Sequence, residues 1–399
     1  MLSTRNNNNH RSWRLETSHV IEYDVVETTD IFSPDNDALM FGATGRASRR
    51  FVVVDEVVYD TRVDQIHGYF EQRGVEARIL PVAATEQNKT FDLFFQIARE
   101  LDAFRLDRRH EPIIAMGGGV LTDVVSMVAS CYRRGTPCVR VPTTLMGCVD
   151  AAIGVKTAVN FNGYKNRIGS FEAPIACILD RSFLSTLPMR HILNGLSEIV
   201  KLALIRSAPL FELLEAEGKA AVLDRFQTRG TAIFRDAIHV MLEELQHNLF
   251  EDVLERAVDY GHTFSPVLEM QDLHGVLHGE AVAIDSAFSA ILAQERGLIP
   301  QFLCNRVLNT MADLGLPLHH PLLDAEMLWA GLEERTAHRD GYQRVPLMSE
   351  LGQATFVNDI TQQELAHALE VWRKRCAPRS SMRLGHRPMD VAIGEKAER

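Results

Sequence analysis

The chain has 399 residues, 46% hydrophobic and 24% charged, which is the composition of an ordinary globular protein with room for two or three domains. Its net charge of −11 excludes broad nucleic-acid binding, although a local basic pocket can still hold a small anion. No run of about eighteen apolar residues predicts a membrane span, and the N-terminus lacks the apolar core of a secretory signal. The six cysteines form no Cys-x-x-Cys pair, so we expect buried free thiols and a reducing cytoplasm.

The N-terminal half alternates short apolar runs with helical patterns. Residues 1–14 are polar, with four consecutive Asn, and are expected to form a disordered tail. The apolar runs that follow predict buried strands of a mostly parallel sheet, so we expect an α/β domain over residues 15–185. These runs are 50–55, 77–82, 112–117, 138–144 and 175–180.

The C-terminal half changes to apolar residues at three-to-four spacing, which predicts an all-α domain over residues 186–376. The predicted helical stretches are 191–217, 229–250, 278–296, 301–314 and 361–375. Residues 377–399 mix charges without periodicity and are expected to be a mobile tail.

One carboxylate and two imidazoles form the most informative set: Glu198 in GLSEIVKLAL, His262 in DYGHTFS and His278 in LHGEAV. Such a set suits a Zn²⁺-like ion that keeps coordination positions open for a substrate. We expect each of the three residues to lie in a helix. A lone His is usually a core residue, but two that follow a Glu, each beside a Gly, favour a joint metal site.

A glycine-rich turn follows the apolar run PIIAM, at residues 117–120. Its place between a predicted strand and a predicted helix favours binding of a pyrophosphate by the backbone, although a tight turn without a ligand is an alternative. Asp55 ends an earlier predicted strand. It either binds the hydroxyls of a ribose or caps the following helix.

The segment 142–171 is dense in Gly, Lys and short polar residues. Thr143 and Thr144 either face a ligand or satisfy backbone groups. Lys156 is either a solvated lysine or part of a site, and Lys165-Asn166, framed by glycines, favours a phosphate or several hydroxyls.

Two further pairs carry charge. Asp150 and Lys156 are either a plain ion pair or part of a site. Glu198 and Lys201 share a helix face within an apolar stretch, so we expect both to point into a cleft.

The motifs GGGVLTD, PTTLMGCVDAAIGVKTAVNFNGYKN, DRSFLSTLPMR, GLSEIVK, GHTF and HGEAV resemble those of the sugar phosphate cyclases, the dehydroquinate synthase superfamily. The resemblance implies a Rossmann-like N-terminal domain, a helical C-terminal domain and a homodimer. It also implies NAD beside zinc, with cobalt as an alternative. Members of the superfamily oxidise a hydroxyl transiently, eliminate phosphate, reduce the ketone again and close a carbocycle by aldol addition.

The resemblance also assigns roles to residues. The metal ligands would be Glu198, His262 and His278. Together with Asp55 from the strand pattern, the cofactor-binding set would be Glu86, Lys89, Gly118, Gly119, Val120, Thr122, Asp123, Thr143, Thr144, Phe183, Thr186 and Leu187. The catalytic and substrate-binding set would be Asp150, Lys156, Lys165, Asn166, Lys201 and Arg256. Arg134 would reach the phosphate from the partner subunit.

Departures from the dehydroquinate synthase pattern point to another substrate. The motif NLGHTFGH becomes DYGHTFSP, which introduces Asp259 and Pro266, and a DKK stretch becomes residues 337–341, AHRDG. An added acid and fewer cations disfavour a carboxylated substrate. The pattern resembles the branch that acts on sedoheptulose 7-phosphate, and within it the 2-epi-5-epi-valiolone synthases.

The sister desmethyl-4-deoxygadusol synthases tend to carry Ala and Thr at the positions of Asp259 and His338. We therefore expect Asp259 and His338 to retain a hydroxyl that the sister enzymes eliminate as water. The alternatives are that sister activity, another valiolone-epimer synthase, a 3-dehydroquinate synthase, a metal-dependent polyol dehydrogenase and a non-catalytic sensor.

Overall fold

The computed structural model describes residues 2–7, 10–42, 49–272 and 275–377, with side chains from residue 13 onward. The predicted tail at 377–399 lies outside these residues except for Ala377. None of the described helices is long and apolar enough to cross a membrane.

Twelve strands are described. They are β1 (Leu2–Asn7), β2 (His10–Leu15), β3 (Asp24–Thr28), β4 (Arg49–Asp55), β5 (Glu76–Val82), β6 (Ile113–Gly117), β7 (Cys138–Pro142), β8 (Lys156–Phe161), β9 (Tyr164–Phe171), β10 (Ala176–Asp180), β11 (Val345–Glu350) and β12 (Gln353–Val357).

Eleven α-helices are described. They are α1 (Glu56–Gln72), α2 (Phe91–Phe104), α3 (Gly119–Cys131), α4 (Met189–Arg206), α5 (Ala208–Leu223), α6 (Thr231–His247), α7 (Ser265–Gln271), α8 (His278–Glu295), α9 (Gln301–Asp313), α10 (Ala325–Ala337) and α11 (Gln362–Cys376).

The N-terminal half is built on a six-stranded parallel sheet with the order β3-β10-β7-β6-β4-β5. Strands β6, β7 and β10 are buried along their whole length because apolar clusters cover both faces of the sheet. The five predicted strands are thus present. Strand β3, which the sequence analysis missed, is an edge strand with acidic residues near its ends.

The start of the chain differs from the prediction. Strands β1 and β2 pair as an antiparallel hairpin where a disordered tail was expected over residues 1–14. Polar composition alone therefore did not identify the backbone pairing of these two strands.

The C-terminal half is helical but not entirely so, because β11 and β12 form an antiparallel hairpin. Gly352 lies in the turn of this hairpin with φ +79°, and its N–H donates to the Leu204 carbonyl at 2.9 Å. The predicted helix 191–217 is two helices, because the Ser207 hydroxyl accepts the N–H of Leu210 and caps α5. Helices α7 and α10 were missed.

The two halves are in direct contact where α4 crosses the residues after β7. A Cβ on Gly195 would lie 2.5 Å from the backbone nitrogen of Met146, so only glycine permits this approach. The predicted boundary at 185/186 lies at the end of the 3-10 turn Arg181–Thr186, between β10 and α4.

Candidate active site

A cavity of about 1220 Å³ lies between the carboxyl ends of the parallel strands and the helices of the C-terminal half. Residues at the ends of three neighbouring strands line the cavity. Asp55 is the last residue of β4, residues 118–120 follow β6, and Thr143 and Thr144 follow β7. Ligands of open parallel sheets bind at this edge, where helix N-termini and turns present backbone N–H groups.

The three predicted metal ligands meet at this cavity. One ligand atom each from Glu198, His262 and His278 lies within 4.8 Å of the others. The Nε2 atoms of His262 and His278 lie 3.7 and 3.3 Å from Glu198 Oε1. Both Glu198 oxygens are buried and accept no hydrogen bond of good geometry from any described residue, so the donor set fits a divalent metal.

The ligands reach this point through a close contact between α4 and α8. A Cβ on Gly279 would lie 1.9 Å from the Asn194 carbonyl oxygen, and the Gly279 N–H donates to Asn194 Oδ1 at 2.7 Å. The glycine lets the first turn of α8, which begins at His278, lie against the helix that carries Glu198.

His262 is not in a helix, contrary to the prediction, but in a turn before α7. The turn is held on α8, because the Tyr260 hydroxyl donates to the Ser286 carbonyl at 2.9 Å. Asp285 accepts the N–H groups of Phe264 and Ser265 at 2.6 and 2.9 Å. These contacts replace the helical hydrogen bonds that the sequence pattern suggested.

Hydrogen bonds to the second nitrogen orient both imidazoles. His262 Nδ1 donates to the Tyr260 carbonyl at 3.1 Å, and His278 Nδ1 donates to Glu269 Oε1 at 2.9 Å. Each ring therefore directs Nε2 at Glu198, as an outer carboxylate or carbonyl does in other histidine metal sites. Glu269 also pairs with Lys165 at 2.9 Å.

The charges of the set are strongly coupled. Burial raises the pKa of Glu198, but the Lys201 ammonium group and the two imidazoles outweigh it, and the pKa lies well below its usual range. Burial lowers the pKa of His262 to about 3, helped by Lys201. Burial also opposes the charge on His278, but Glu269 and Glu198 raise its pKa to about 10.

The nucleotide-side candidates mostly gather at the sheet end of the cavity. Lys89 Nζ lies 2.5 Å from both Asp123 Oδ2 and Asn166 Oδ1, which ties the turn region to the β8–β9 hairpin. Asp55 accepts the Val57 N–H and caps α1, which confirms that alternative, and it also lines the cavity, so binding of a ribose stays a prediction. Other candidates that line the cavity are Glu86, Gly118, Gly119, Val120, Thr143, Thr144, Phe183, Thr186 and Leu187.

The remaining polar candidates line the opposite part of the cavity. Lys156 pairs with Glu251 at 2.5 Å and not with Asp150. Asp150 is half-buried, and desolvation together with Glu198 raises its pKa against the effect of Lys201. Lys201 is buried beside Glu198 and contacts its Oε2, as its helix position predicted.

Asp259 lies at the centre of an arginine cluster. Its carboxylate lies 3.1 Å from Arg256 and 3.3 Å from Arg335, and it also contacts Arg339. Burial raises the pKa of Asp259, but the three guanidinium groups lower it below its usual value. The Asp259 carboxylate is thus ionised, and its negative charge offsets part of the positive charge of the three arginines.

Three candidates lie away from the cavity. His338 ends α10, is exposed and does not line it, whereas the neighbouring Arg339 contacts Asp259. Arg134 is exposed and also lies outside the cavity of its own subunit. Thr122 is fully buried on α3, so its hydroxyl faces the protein interior and not a cofactor.

The sequence analysis missed residues that act on the site through other side chains: Asn194, Glu251, Glu269, Arg335 and Arg339. Asn194 and Arg339 lie in segments that were singled out for other residues, and the other three lie in segments that were predicted without a site or not predicted at all. The available signal was weak, because each is a common surface residue type whose partner is distant in sequence. The acidic residue Glu269, shortly after the GHTF motif, is the pattern that could have indicated a group that orients a metal ligand.

The chain matches the family models described as 3-dehydroquinate synthase N-terminal, over residues 79–194, and 3-dehydroquinate synthase C-terminal, over residues 195–335. It is 49% identical to a 2-epi-5-epi-valiolone synthase of Actinoplanes sp., over 90% of this chain and 92% of that protein. It is 39% identical to a demethyl-4-deoxygadusol synthase of Trichormus variabilis, over 92% of this chain and 91% of that protein.

A solved structure shares the fold over nearly the whole chain. It is that of the 2-epi-5-epi-valiolone synthase from Streptomyces hygroscopicus subsp. jinggangensis 5008 with NAD⁺ and Zn²⁺ bound. The TM-score is 0.87 at 43% identity, and the match covers 91% of this chain and 100% of that chain. The likeness confirms the predicted fold class, an α/β domain on a parallel sheet followed by a helical domain.

Proposed function

Because the chain belongs to the 3-dehydroquinate synthase family, we propose that it is a 2-epi-5-epi-valiolone synthase that converts sedoheptulose 7-phosphate and releases inorganic phosphate. The observation that carries the proposal is the single cavity that joins the glycine turn after β6, the Glu198/His262/His278 set and several cations. A nucleotide site beside an open metal site suits reversible oxidation of a carbon that bears a hydroxyl.

NAD and zinc are the proposed cofactors, and cobalt is an alternative metal for the same ligands. When bound, NAD accepts and later returns a hydride, and the metal polarises substrate oxygens as a Lewis acid. Glu198, His262 and His278 hold the metal, and Glu269 keeps the His278 ring in place. The turn at 118–120 and the residues from Phe183 to Leu187 hold the dinucleotide.

The cations of the cavity wall act on the phosphate group. In the elimination, the C–O bond to phosphate breaks and its electron pair leaves with phosphate. The proton of the neighbouring C–H passes to the departing phosphate, and the electrons of that bond form the new C=C. Lys156 and Arg256 donate N–H groups to the phosphate oxygens, and Asn166 supports them.

Two groups near the metal ligands are suited to orient substrate hydroxyls and to transfer a proton. Lys201 lies against Glu198 and near Asp150, and both acids raise its pKa against burial, so Lys201 is a cation that orients substrate hydroxyls. Asp150 lies in the π-helical turn Gly147–Ala151 and is held in the neutral form more readily than an exposed Asp, which suits it to donate or accept a proton.

Substrate choice follows from Asp259. A carboxylated sugar phosphate needs free cations, but Asp259 already engages Arg256, Arg335 and Arg339. Another carboxylate beside this anion would be repelled at short range. A substrate without a carboxylate, such as sedoheptulose 7-phosphate, meets no such penalty.

A homodimer with a shared active site is part of the proposal. Arg134 lies outside the cavity of its own subunit and is exposed, which leaves it available to a partner subunit. The proposed compartment is the cytoplasm. The six cysteines support it, because all are free thiols and four of them are buried.

The experiment that tests the product is incubation of the NAD- and zinc-loaded protein with sedoheptulose 7-phosphate, followed by NMR comparison with authentic cyclitols. The expected spectrum is that of 2-epi-5-epi-valiolone. A desmethyl-4-deoxygadusol spectrum or that of another valiolone epimer would move the assignment to a sister activity. Release of phosphate from the carboxylated precursor of dehydroquinate at a comparable rate would instead favour a 3-dehydroquinate synthase.

A further inference from the structure

Glu251 lies between two cations that the proposed function assigns to phosphate. Its Oε1 lies 2.5 Å from Lys156 Nζ, and its Oε2 lies 2.5 Å from Arg256 Nη1. All three residues line the cavity. The carboxylate therefore already contacts one nitrogen of each cation that would donate to phosphate oxygens.

The backbone around Glu251 is shaped to place it there. Glu251 has φ +59°, a left-handed conformation that is unfavourable for a residue with a side chain. Asn248 closes the turn from both sides, since its side chain donates to the Val253 carbonyl at 2.7 Å and accepts the Val253 N–H at 3.0 Å. The rings of Phe250 and Phe171 are in edge contact, with centroids 5.7 Å apart, which fixes the turn to β9.

Lys165 and Lys201 of the cavity also face carboxylates, but those carboxylates have further tasks. Glu198 is a metal ligand beside Lys201, and Glu269 orients His278 beside Lys165. Lys156 differs because its side chain is 59% exposed, against 3% for Lys201, and Glu251 is what fixes its ammonium group. Glu251 serves no metal ligand, so its effect falls on the two cations alone.

The net positive charge of the residues around Glu251 matches the negative charge of phosphate. Lys156, Arg256, Glu251 and Asp259 line the cavity, and Arg335 and Arg339 contact Asp259 from outside the lining. These six residues form one network of contacts, which leaves two net positive charges. A phosphate monoester or inorganic phosphate carries up to two negative charges near neutral pH. Without Glu251 this network would carry three net positive charges, and it would retain the released phosphate more strongly.

We propose that Glu251 is a positioning residue, which holds Lys156 and Arg256 in place while its own charge weakens their hold on phosphate so that the product can leave. Lysine and arginine have enough N–H donors to serve the carboxylate and a phosphate at once. The inference rests on the proposed function, because it takes Lys156 and Arg256 as the phosphate-binding cations.

The test measures binding of inorganic phosphate to the NAD- and zinc-loaded protein, by titration calorimetry and by inhibition of turnover. Glu251→Gln keeps the size and removes the charge, so we expect phosphate to bind about tenfold more tightly, the effect of one unit charge a few ångströms away in a partly solvated site. Glu251→Asp keeps the charge and should bind phosphate as the wild type does. Asp252→Asn is the matched control, because Asp252 is an exposed acid in the same turn and does not line the cavity.

A purely structural role predicts the opposite direction. If Glu251→Gln binds phosphate equally or more weakly while it retains NAD and zinc, the inference is wrong. The same result in Asp252→Asn as in Glu251→Gln would show an effect of net charge only, which also overturns it. The calorimetric titration needs no substrate, so failure of the wild type to convert sedoheptulose 7-phosphate refutes the proposed function separately.

Discussion

Metal retention depends at the residue scale on the groups that orient the ligands as well as on the ligands. Glu269 accepts a hydrogen bond from His278 Nδ1 and is itself held by Lys165. Burial raises the pKa of Glu269, but His278 and Lys165 lower it to about 2, so it is a carboxylate throughout the physiological range.

His278→Ala should therefore abolish turnover and most zinc retention, and Glu269→Gln should lower zinc affinity about 10–100-fold, the usual effect of losing an outer carboxylate. Zinc content after dialysis, measured by elemental analysis, checks both. His367→Ala removes an exposed histidine of α11 and should retain zinc fully. Full activity of His278→Ala in a metal-free preparation would contradict the ligand assignment.

Asp259 is the residue on which substrate choice depends. Asp259→Asn should leave Arg335, which is 5% exposed, without a charged partner, at a cost of about 1–3 kcal/mol in the free energy of unfolding. It should lower phosphate release from sedoheptulose 7-phosphate and raise it from the carboxylated precursor, because the freed cations can bind that carboxylate. A ratio of the two rates equal to that of the wild type would show that the arginine cluster does not select the substrate.

His338 was expected to act together with Asp259, but its exposed position outside the cavity separates the two. We expect His338→Thr alone to change the rate from sedoheptulose 7-phosphate by no more than about threefold, as for surface substitutions in general. Asp259→Ala combined with His338→Thr should then behave as Asp259→Ala alone. An NMR product profile that changes only in the double variant would restore His338 to the site.

The contact between α4 and α8 is the element that the metal set depends on. Gly279→Ala would place a Cβ 1.9 Å from a backbone oxygen of α4, which cannot move aside as a side chain can. The helices must separate, so we expect a loss of about 3 kcal/mol in the free energy of unfolding and weaker zinc binding.

The same substitution elsewhere provides the control. Gly68 lies in α1, where an added Cβ meets only the end of the Gln72 side chain at 3.8 Å. Gly68→Ala should stabilise the protein by about 0.5–1 kcal/mol, because alanine has the higher helix propensity. Denaturant titrations of both variants check the pair, and a Gly279→Ala variant of unchanged stability would mean that the helices are not packed as closely as described.

Secondary structure was predictable where the apolar pattern was strong. Strands β4, β6, β7 and β10 are largely buried and apolar, β5 is an edge strand with a shorter apolar run, and all five were identified. Edge strand β3, the short helix α7 and the β11–β12 hairpin were missed, because short or half-exposed elements carry little periodicity and are stabilised by tertiary contacts. His262 was placed in a helix for the same reason, since the turn depends on hydrogen bonds to Asp285 and Ser286 of the distant helix α8.

At the scale of the whole molecule, the proposed exchange of Arg134 between subunits has a distinctive consequence. Arg134→Ala and His278→Ala should each be nearly inactive alone. In a mixed dimer, one cavity has its own metal ligands and a wild-type Arg134 from the other subunit. Random reassociation should therefore restore about a quarter of wild-type activity, because half of the dimers are mixed and each has one complete site.

Activity assays after mixing and refolding, or after co-expression with two affinity tags, measure this recovery. Mixing His278→Ala with Glu269→Gln is the control, because each change damages the metal site of the subunit that carries it, so neither cavity of a mixed dimer has an intact metal site. No recovery in the Arg134 mixture would show that Arg134 does not act across the interface.

The site was predictable to the extent that its residues lie in short motifs. The ligands and most cofactor candidates lie in such motifs and gather at one cavity. The carboxylates that pair with the cavity lysines were not predictable, because Glu251 is 95 positions from Lys156 and Glu269 is 104 from Lys165 in the chain. Their roles depend on contacts of the β8–β9 hairpin with the turn after α6 and with α7, which no local pattern encodes.

The central claim is that one cavity combines transient oxidation with loss of phosphate. Simultaneous recording of inorganic phosphate and of absorbance at the NADH band, with sedoheptulose 7-phosphate and catalytic NAD, tests it most directly. The account predicts one phosphate released for each substrate molecule consumed and no net NADH, because the hydride returns to the substrate. Steady accumulation of NADH without phosphate would contradict it and would identify a polyol dehydrogenase.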